Sequence, residues 1–219
     1  MDLLNKQPPR LKMLYITYLQ KHDTRSFISQ VTEYYGESAL IRLTGAKCVV
    51  TRRAAAMMLG FIGSYQANEA LGRLLKDRDR SVRLITENSL KSVWSRDGSE
   101  EQRQELYAIM RHIATQEFGE AVYRANILLD EFPYYAEARN QRAIALFALK
   151  KFEASIDDSR KVLDLNPYHF GAAIGMGHAY MQLRNRQSAI DCFQQALEIN
   201  PNLETVRRHL ERLIQSRMI

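Results

Sequence analysis

Three glycines fall within seven residues of the stretch FGAAIGMGHAYMQL, at Gly171, Gly175 and Gly177. Glycines at this density can cradle a phosphate, because backbone N–H groups without neighbouring Cβ atoms close on an anion. That chemistry needs a strand, a glycine turn and a helix in that order, and in the Walker form a Lys followed by Ser or Thr. No strand pattern precedes residue 170, and the glycines lie inside an apolar pattern of helical period. They therefore point to close packing between helices, with Gly177 facing Ala189. The five histidines, His22, His112, His169, His178 and His209, have no HxxxH or HExxH spacing, and Cys48 and Cys192 form no CxxC pair. A metal site is not expected. Asp157 and Asp158 are predicted on an exposed helix face, where nothing would separate their proton affinities as an acid/base pair requires. No strand–turn–helix elbow presents a serine nucleophile. The residues thus predict no enzyme, with no catalytic residue, cofactor, metal or small-molecule substrate.

The elements that surround these residues are helical in composition. Ala, Leu, Glu, Arg, Gln and Met, all strong helix formers, outnumber Val, Ile and Thr in a chain with ten Gly and five Pro among 219 residues. No run of about 18 apolar residues occurs, so no membrane span is expected. The first thirty residues lack the basic leader, apolar core and cleavage site of a signal peptide. With only two cysteines far apart, a reducing cytoplasm is the expected location. Residues 1–100 hold 16 Lys and Arg against 10 Asp and Glu, while residues 101–219 hold 15 of each, so the formal charge of +6 lies in the first half. Such asymmetry bears on partners and on encounter rates.

Pro133, Pro167 and Pro201 are spaced 34 residues apart, each closing an amphipathic stretch: ANILLDEFP, SRKVLDLNP and FQQALEINP. Two helices fit between successive prolines; in the last period they are predicted near 169–183 and 186–199, with RNRQ as the turn. Small residues recur where paired helices approach: Ala143 and Gly177 in the first helices, and Ala121, Ser155 and Ala189 in the second. With Leu146, Tyr180, Phe193, Ala196 and the three prolines, these residues resemble the tetratricopeptide repeat, a 34-residue helix–turn–helix unit. The resemblance covers about 102–201 and implies repeats near 102–135, 136–169 and 170–203. The stretch LETVRRHLERLIQSRM (203–218) reads as a capping helix, because its polar outer face suits the end of an array.

The first half repeats with a period of 31. Arg52 aligns with Arg83, Leu59 with Leu90 and Ile62 with Val93; Ala39, Leu40, Arg42 and Leu43 align with Ala70, Leu71, Arg73 and Leu74. RRAAA with LG at 52–60 and D-x-x-V-R at 79–83 resemble HEAT repeats of the short, bilin-lyase type. Cys48 stands where the register with Asp79 expects an acid. PPRLKMLYITYLQKH (8–22) and TRSFISQVTEYYG (24–36) add two further helices, the first of them as an N-terminal cap.

The two periods meet in SEEQRQELYAIMRHIATQ, where Ser99 followed by Gln102 reads as a capping box. The expected architecture is all-α: a right-handed α-α superhelix in which HEAT-like repeats (1–98) run through the turn SRDGS into tetratricopeptide repeats and their cap (99–219). Helix pairs of this kind bury their apolar faces by stacking on neighbours.

In such an array the first helices line a concave surface. The residues predicted there are Leu106, Met110, Ile113, Asn140, Ile144, Phe147, Gly171, Ile174, His178 and Met181. The resemblance implies peptide binding. Chaperone-binding members of the family clamp a terminal carboxylate with Lys, Asn and Arg, and the matching places here hold Leu106, Met110, Gln141, Gly171 and Gly175. A heat-shock-chaperone tail is therefore not the expected ligand. A mostly apolar groove suits an amphipathic helix or an extended apolar segment; the alternative is that the last helix covers it. In the first half, Arg42, Arg73 and Lys76 form a basic surface. The function expected is a non-enzymatic protein-interaction scaffold for an unidentified protein or peptide. Nucleic-acid binding through the basic half is the alternative, and a bilin-lyase-like activity has less support.

Overall fold

The computed structural model describes residues 10–215. Thirteen α-helices, and no strand, are found among them. The chain divides into two compact units, residues 1–93 and 94–219, and the division falls inside a helix rather than in the turn at 95–99.

The first unit contains α1 (Arg10–Lys21), α2 (Thr24–Tyr34), α3 (Glu37–Leu43), α4 (Val49–Ile62), a 3-10 turn (Tyr65–Ala67), α5 (Asn68–Leu74) and α6 (Arg80–Ser95), whose last two residues belong to the second unit. The 31-residue register is visible in the packing. Leu40, Leu71, Leu59 and Leu90 are all fully buried. α4 and α6 cross closely at Gly60, where an added methyl group would lie 3.0 Å from the Ser89 backbone. Asp23 accepts the Ser26 N–H at the start of α2, and Asp79 accepts the Val82 N–H at the start of α6. Cys48, one period before Asp79, heads α4 without a side-chain cap bond.

The second unit contains α7 (Glu100–Ala114), α8 (Phe118–Glu131), α9 (Ala136–Ala148), α10 (Phe152–Leu165), α11 (Phe170–Gln182), α12 (Arg186–Ile199) and α13 (Glu204–Gln215). Each helix packs on the next, and the first helices of successive pairs, α7 on α9 and α9 on α11, also touch. This is the stacking of a solenoid. The capping box forms in full at α7, with the Ser99 side chain accepting from Gln102 N–H and the Gln102 side chain accepting from Ser99 N–H.

The period of 34 is written into the backbone as well as the side chains. Gln116, Lys150 and Arg184 follow α7, α9 and α11 with φ of 63°, 60° and 57°. Behind each one, an N–H reaches back to close the helix: Glu117 to His112 O, Lys151 to Leu146 O and Asn185 to Tyr180 O, at 2.8–2.9 Å. This left-handed closure turns the chain sharply into the second helix of each pair.

Close packing explains one of the three glycines in α11. A methyl group at Gly177 would meet the Phe193 ring at 2.5 Å, so the nearest neighbour of Gly177 is Phe193, which shares its core with Ala189. Phe193 is fully buried with Ala173, Ala189, Ala196 and Val206, and α13 adds Leu210 and Leu213 to that core. The capping segment is helical through Gln215; its predicted continuation to 218, like residues 8 and 9 of the first predicted helix, lies outside the described residues.

A glycine-walled groove as candidate functional site

The other two glycines of α11 do something different. Asn140, Ala143, Ile144 and Phe147 of α9, Ser155 and Ser159 of α10, and Gly171, Gly175 and His178 of α11 enclose a groove of about 120 Å³. A methyl group at Gly175 would have nothing nearer than Ser159 Oγ at 3.8 Å, and at Gly171 nothing nearer than the His169 ring at 3.4 Å. The groove exists on that wall because side chains are missing. The opposite wall is apolar: Ile144 is 43% exposed, and Phe147 is held edge-to-face against Phe152 at 5.4 Å.

Of the residues predicted to line a groove, Asn140, Ile144, Phe147, Gly171 and His178 come together here. Met181 is exposed but lies outside the lining, and Ile174 packs against the Phe193 core. Leu106 corrects the prediction: it is fully buried with Ile109, Ala121, Ala125 and Leu128, because its stripe on α7 faces α8. Met110 and Ile113 pack against the same core.

A buried polar cluster, missed from the sequence, adjoins one end of the groove. Glu137 accepts hydrogen bonds from Asn140 at 3.2 Å, Gln141 at 2.6 Å and His169 Nε2 at 3.1 Å. His169 Nδ1 accepts the Ala172 N–H at 3.0 Å, which caps α11 and assigns the ring its Nε2–H form. Trp94, the single tryptophan, stacks on the His169 ring at 4.3 Å and tilts against Phe170 at 5.5 Å. The lone Trp was the available signal, but nothing in its spacing pointed to His169.

A second buried cluster overturns the expectation of exposure for Asp158, though not for Asp157. Asp157 is exposed beside Arg160, whereas Asp158 is buried and accepts from Arg142 Nε and Nη2 at 2.7 Å and from Arg139 Nη1 at 3.3 Å. Arg142 also donates to Asn126 Oδ1 at 2.8 Å and Arg139 to Pro133 O at 2.6 Å, which ties α8, α9 and α10 together. The carboxylate is a structural anchor, not half of a catalytic pair.

No residue of α13 lines the groove; its approach ends at His209, whose ring meets His178 edge-on at 5.6 Å. Burial, and secondarily the neighbouring His209, hold the proton affinity of His178 below the usual histidine value of 6.5. The folded state therefore prefers the neutral ring, while the unfolded chain takes up a proton as pH falls below 6.5. Stability from this residue is present above that pH and is lost below it. The urea midpoint of the protein is expected to drop between pH 7.5 and 5, and His178→Gln to flatten that drop; equal slopes in the two proteins would contradict it.

In the first unit Arg42 and Lys76 are exposed, as predicted. Arg73 is not a free charge, since it pairs with Glu69 on its own helix. Arg83 bonds the loop carbonyls of Asp77 and Arg78, and Asp79 pairs with Arg53.

Two family models, each described as the tetratricopeptide repeat, match residues 136–169 and 172–203. A comparison with curated proteins finds no match. Among solved structures, the first tetratricopeptide domain of Spaghetti (RPAP3), bound to the HSP90 peptide SRMEEVD, is 23% identical over 56% of this chain and 97% of its own, with a TM-score of 0.53. The first such domain of human RPAP3 is 24% identical over 52% of this chain and 90% of its own, with a TM-score of 0.50. These are likenesses of fold. No described helix is long and apolar enough to cross a membrane.

Proposed function

We propose, from two adjoining tetratricopeptide repeats at 136–169 and 172–203, that the second unit is a non-enzymatic docking scaffold for a peptide segment of a partner protein. Its repeats are read as 102–135, 136–169 and 170–203 with a capping helix from 203, and the first unit as HEAT-like. The observation that supports docking is the groove between α9 and α11, open to solvent on a wall built from Gly171 and Gly175. A site of this size with one apolar wall takes one or two side chains of an extended or helical peptide, with Asn140, Ser155, Ser159 and His178 available for orientation. The solved neighbour binds the peptide SRMEEVD, which ends in an aspartate. The places that would clamp a terminal carboxylate hold Gln141, Gly171 and Gly175 here, which favours an internal apolar segment over such a tail. Two free cysteines fit a reducing compartment such as the cytoplasm.

Gly175→Leu tests this directly. The added side chain fills the groove, replaces a poor helix former with a good one, and leaves the core untouched. On an array of short apolar and amphipathic peptides, the full chain is expected to bind a subset that Gly175→Leu and Ile144→Asp lose by about tenfold or more, with unchanged circular dichroism. A peptide set bound equally by wild type and both folded variants sinks the reading.

A further inference from the structure

The first unit has an edge whose charge is arranged independently of the groove. The loops at 44–48 and 75–79 lie side by side, because Arg52 donates to the carbonyls of Ala46 and Lys47 in one loop and clasps the Asp77 carboxylate of the other at 2.7 and 2.9 Å. One period later, Arg83 donates to the carbonyls of Asp77 and Arg78. Arg53 holds Asp79 at 2.7 and 3.0 Å, and that hydrogen bond keeps the Asp79 carboxyl below the usual range. The only two carboxylates of the loops are thus turned inward onto arginines. Segments 42–53 and 73–83 together contain nine Lys and Arg and two Asp. Arg42, Lys47, Lys76, Arg78 and Arg80 remain exposed on this edge, with no ion pair among the described residues.

We propose that this edge docks an acidic segment of a partner protein, rich in Asp, Glu or phosphorylated side chains. Five cations presented on internally braced loops and on the helix ends beside them neutralise a short acidic run without first spending the entropy of ordering the loops. A nucleic acid fits less well. Neither segment contains an aromatic residue on which a base could stack, and a duplex-binding surface commonly makes about 6–10 phosphate contacts.

The test uses the full chain and fluorescence anisotropy at about 150 mM salt. The probes are a labelled all-glutamate peptide of about ten residues, its all-glutamine counterpart, and duplex DNA and RNA oligonucleotides of matched charge. Binding of the glutamate peptide alone is expected, weakening as salt rises. Lys76→Glu/Arg78→Glu/Arg80→Glu is expected to weaken it by about tenfold or more, with unchanged circular dichroism. Lys151→Glu/Lys161→Glu/Arg208→Glu, a reversal of the same number of exposed charges in the second unit, is expected to leave it intact. The proposal is overturned if the peptide does not bind, if either oligonucleotide binds more tightly than the peptide, or if both sets of reversals weaken binding equally. None of these outcomes bears on the groove, whose test is Gly175→Leu.

Discussion

Asp158→Ala is expected to destabilise the second unit by about 3–5 kcal/mol, because it leaves the buried Arg139 and the half-buried Arg142 guanidinium groups without their shared carboxylate. The side chains of Asp158 and Arg139 are 5% and 10% exposed, so water cannot replace what is removed. The next repeat supplies the control. One period on, Arg139, Arg142 and Asp158 correspond to Ala173, Met176 and Cys192, and those three are buried. Met176 and Cys192 share an apolar cluster with Ile156 and Ala179. The same place in two consecutive repeats is filled by ions in one and by hydrocarbon and sulfur in the other. Exchanging a complete buried ion cluster for packed apolar groups is commonly neutral or stabilising. The triple variant Arg139→Ala/Arg142→Met/Asp158→Cys is therefore expected to lie much closer to wild type than the single substitution. Urea unfolding followed by the fluorescence of Trp94, which stacks on His169 of the second unit, separates the two outcomes. A triple variant as unstable as Asp158→Ala would mean that the ions are required by their surroundings and not merely by each other.

Trp94→Ala is expected to cost a comparable amount, about 3–5 kcal/mol, the range for removing a large buried aromatic side chain. Trp94 is 4% exposed, and its indole lies flat on the ring of His169. That ring does two jobs, donating to Glu137 and capping α11 through Ala172 N–H. Without the indole, both bonds become accessible to water, and Glu137 loses the dry setting in which its three donors are strong. The effect should be local as well as global. Hydrogen exchange at the Ala172 amide is expected to quicken beyond what the change in overall stability explains, while Trp94→Phe restores most of the protection. Unaltered exchange at Ala172 in the Ala variant would detach the cap from the stack.

What could be read from the sequence follows from which interactions repeat. The prolines at 133, 167 and 201 and the small residues at 121, 155 and 189 recur because helix pairs must meet the same neighbour at every turn, so the solenoid of the second unit was legible. So was the cap at Ser99 and Gln102, whose two bonds are local. The partners of Trp94 and Asp158 were not, because each is made once, between distant segments. Asp158 looked like its exposed neighbour Asp157, yet its register with Cys192 held a clue to burial. Leu106 was misplaced because α7 has one apolar stripe, and spacing alone does not say whether that stripe faces α8 or the open side. Asn140, Ile144, Phe147 and His178 could be placed on one lining for the complementary reason: they sit on faces of α9 and α11 fixed by the repeat.

The manner in which the groove is carved has a bearing on how the protein can diversify. Most binding cavities are hollowed by shaping what surrounds them, so altering them disturbs the scaffold. This one owes its depth to two residues that contribute no atoms beyond the main chain, on a helix anchored from its other side by Phe193. A Cβ at 175 meets nothing nearer than Ser159 Oγ at 3.8 Å, and one at 171 only touches the His169 ring at 3.4 Å, neither of them in the Phe193 core. Ligand preference is thus adjustable by accretion at either position while the Phe193 core on the other side of the helix stays in place.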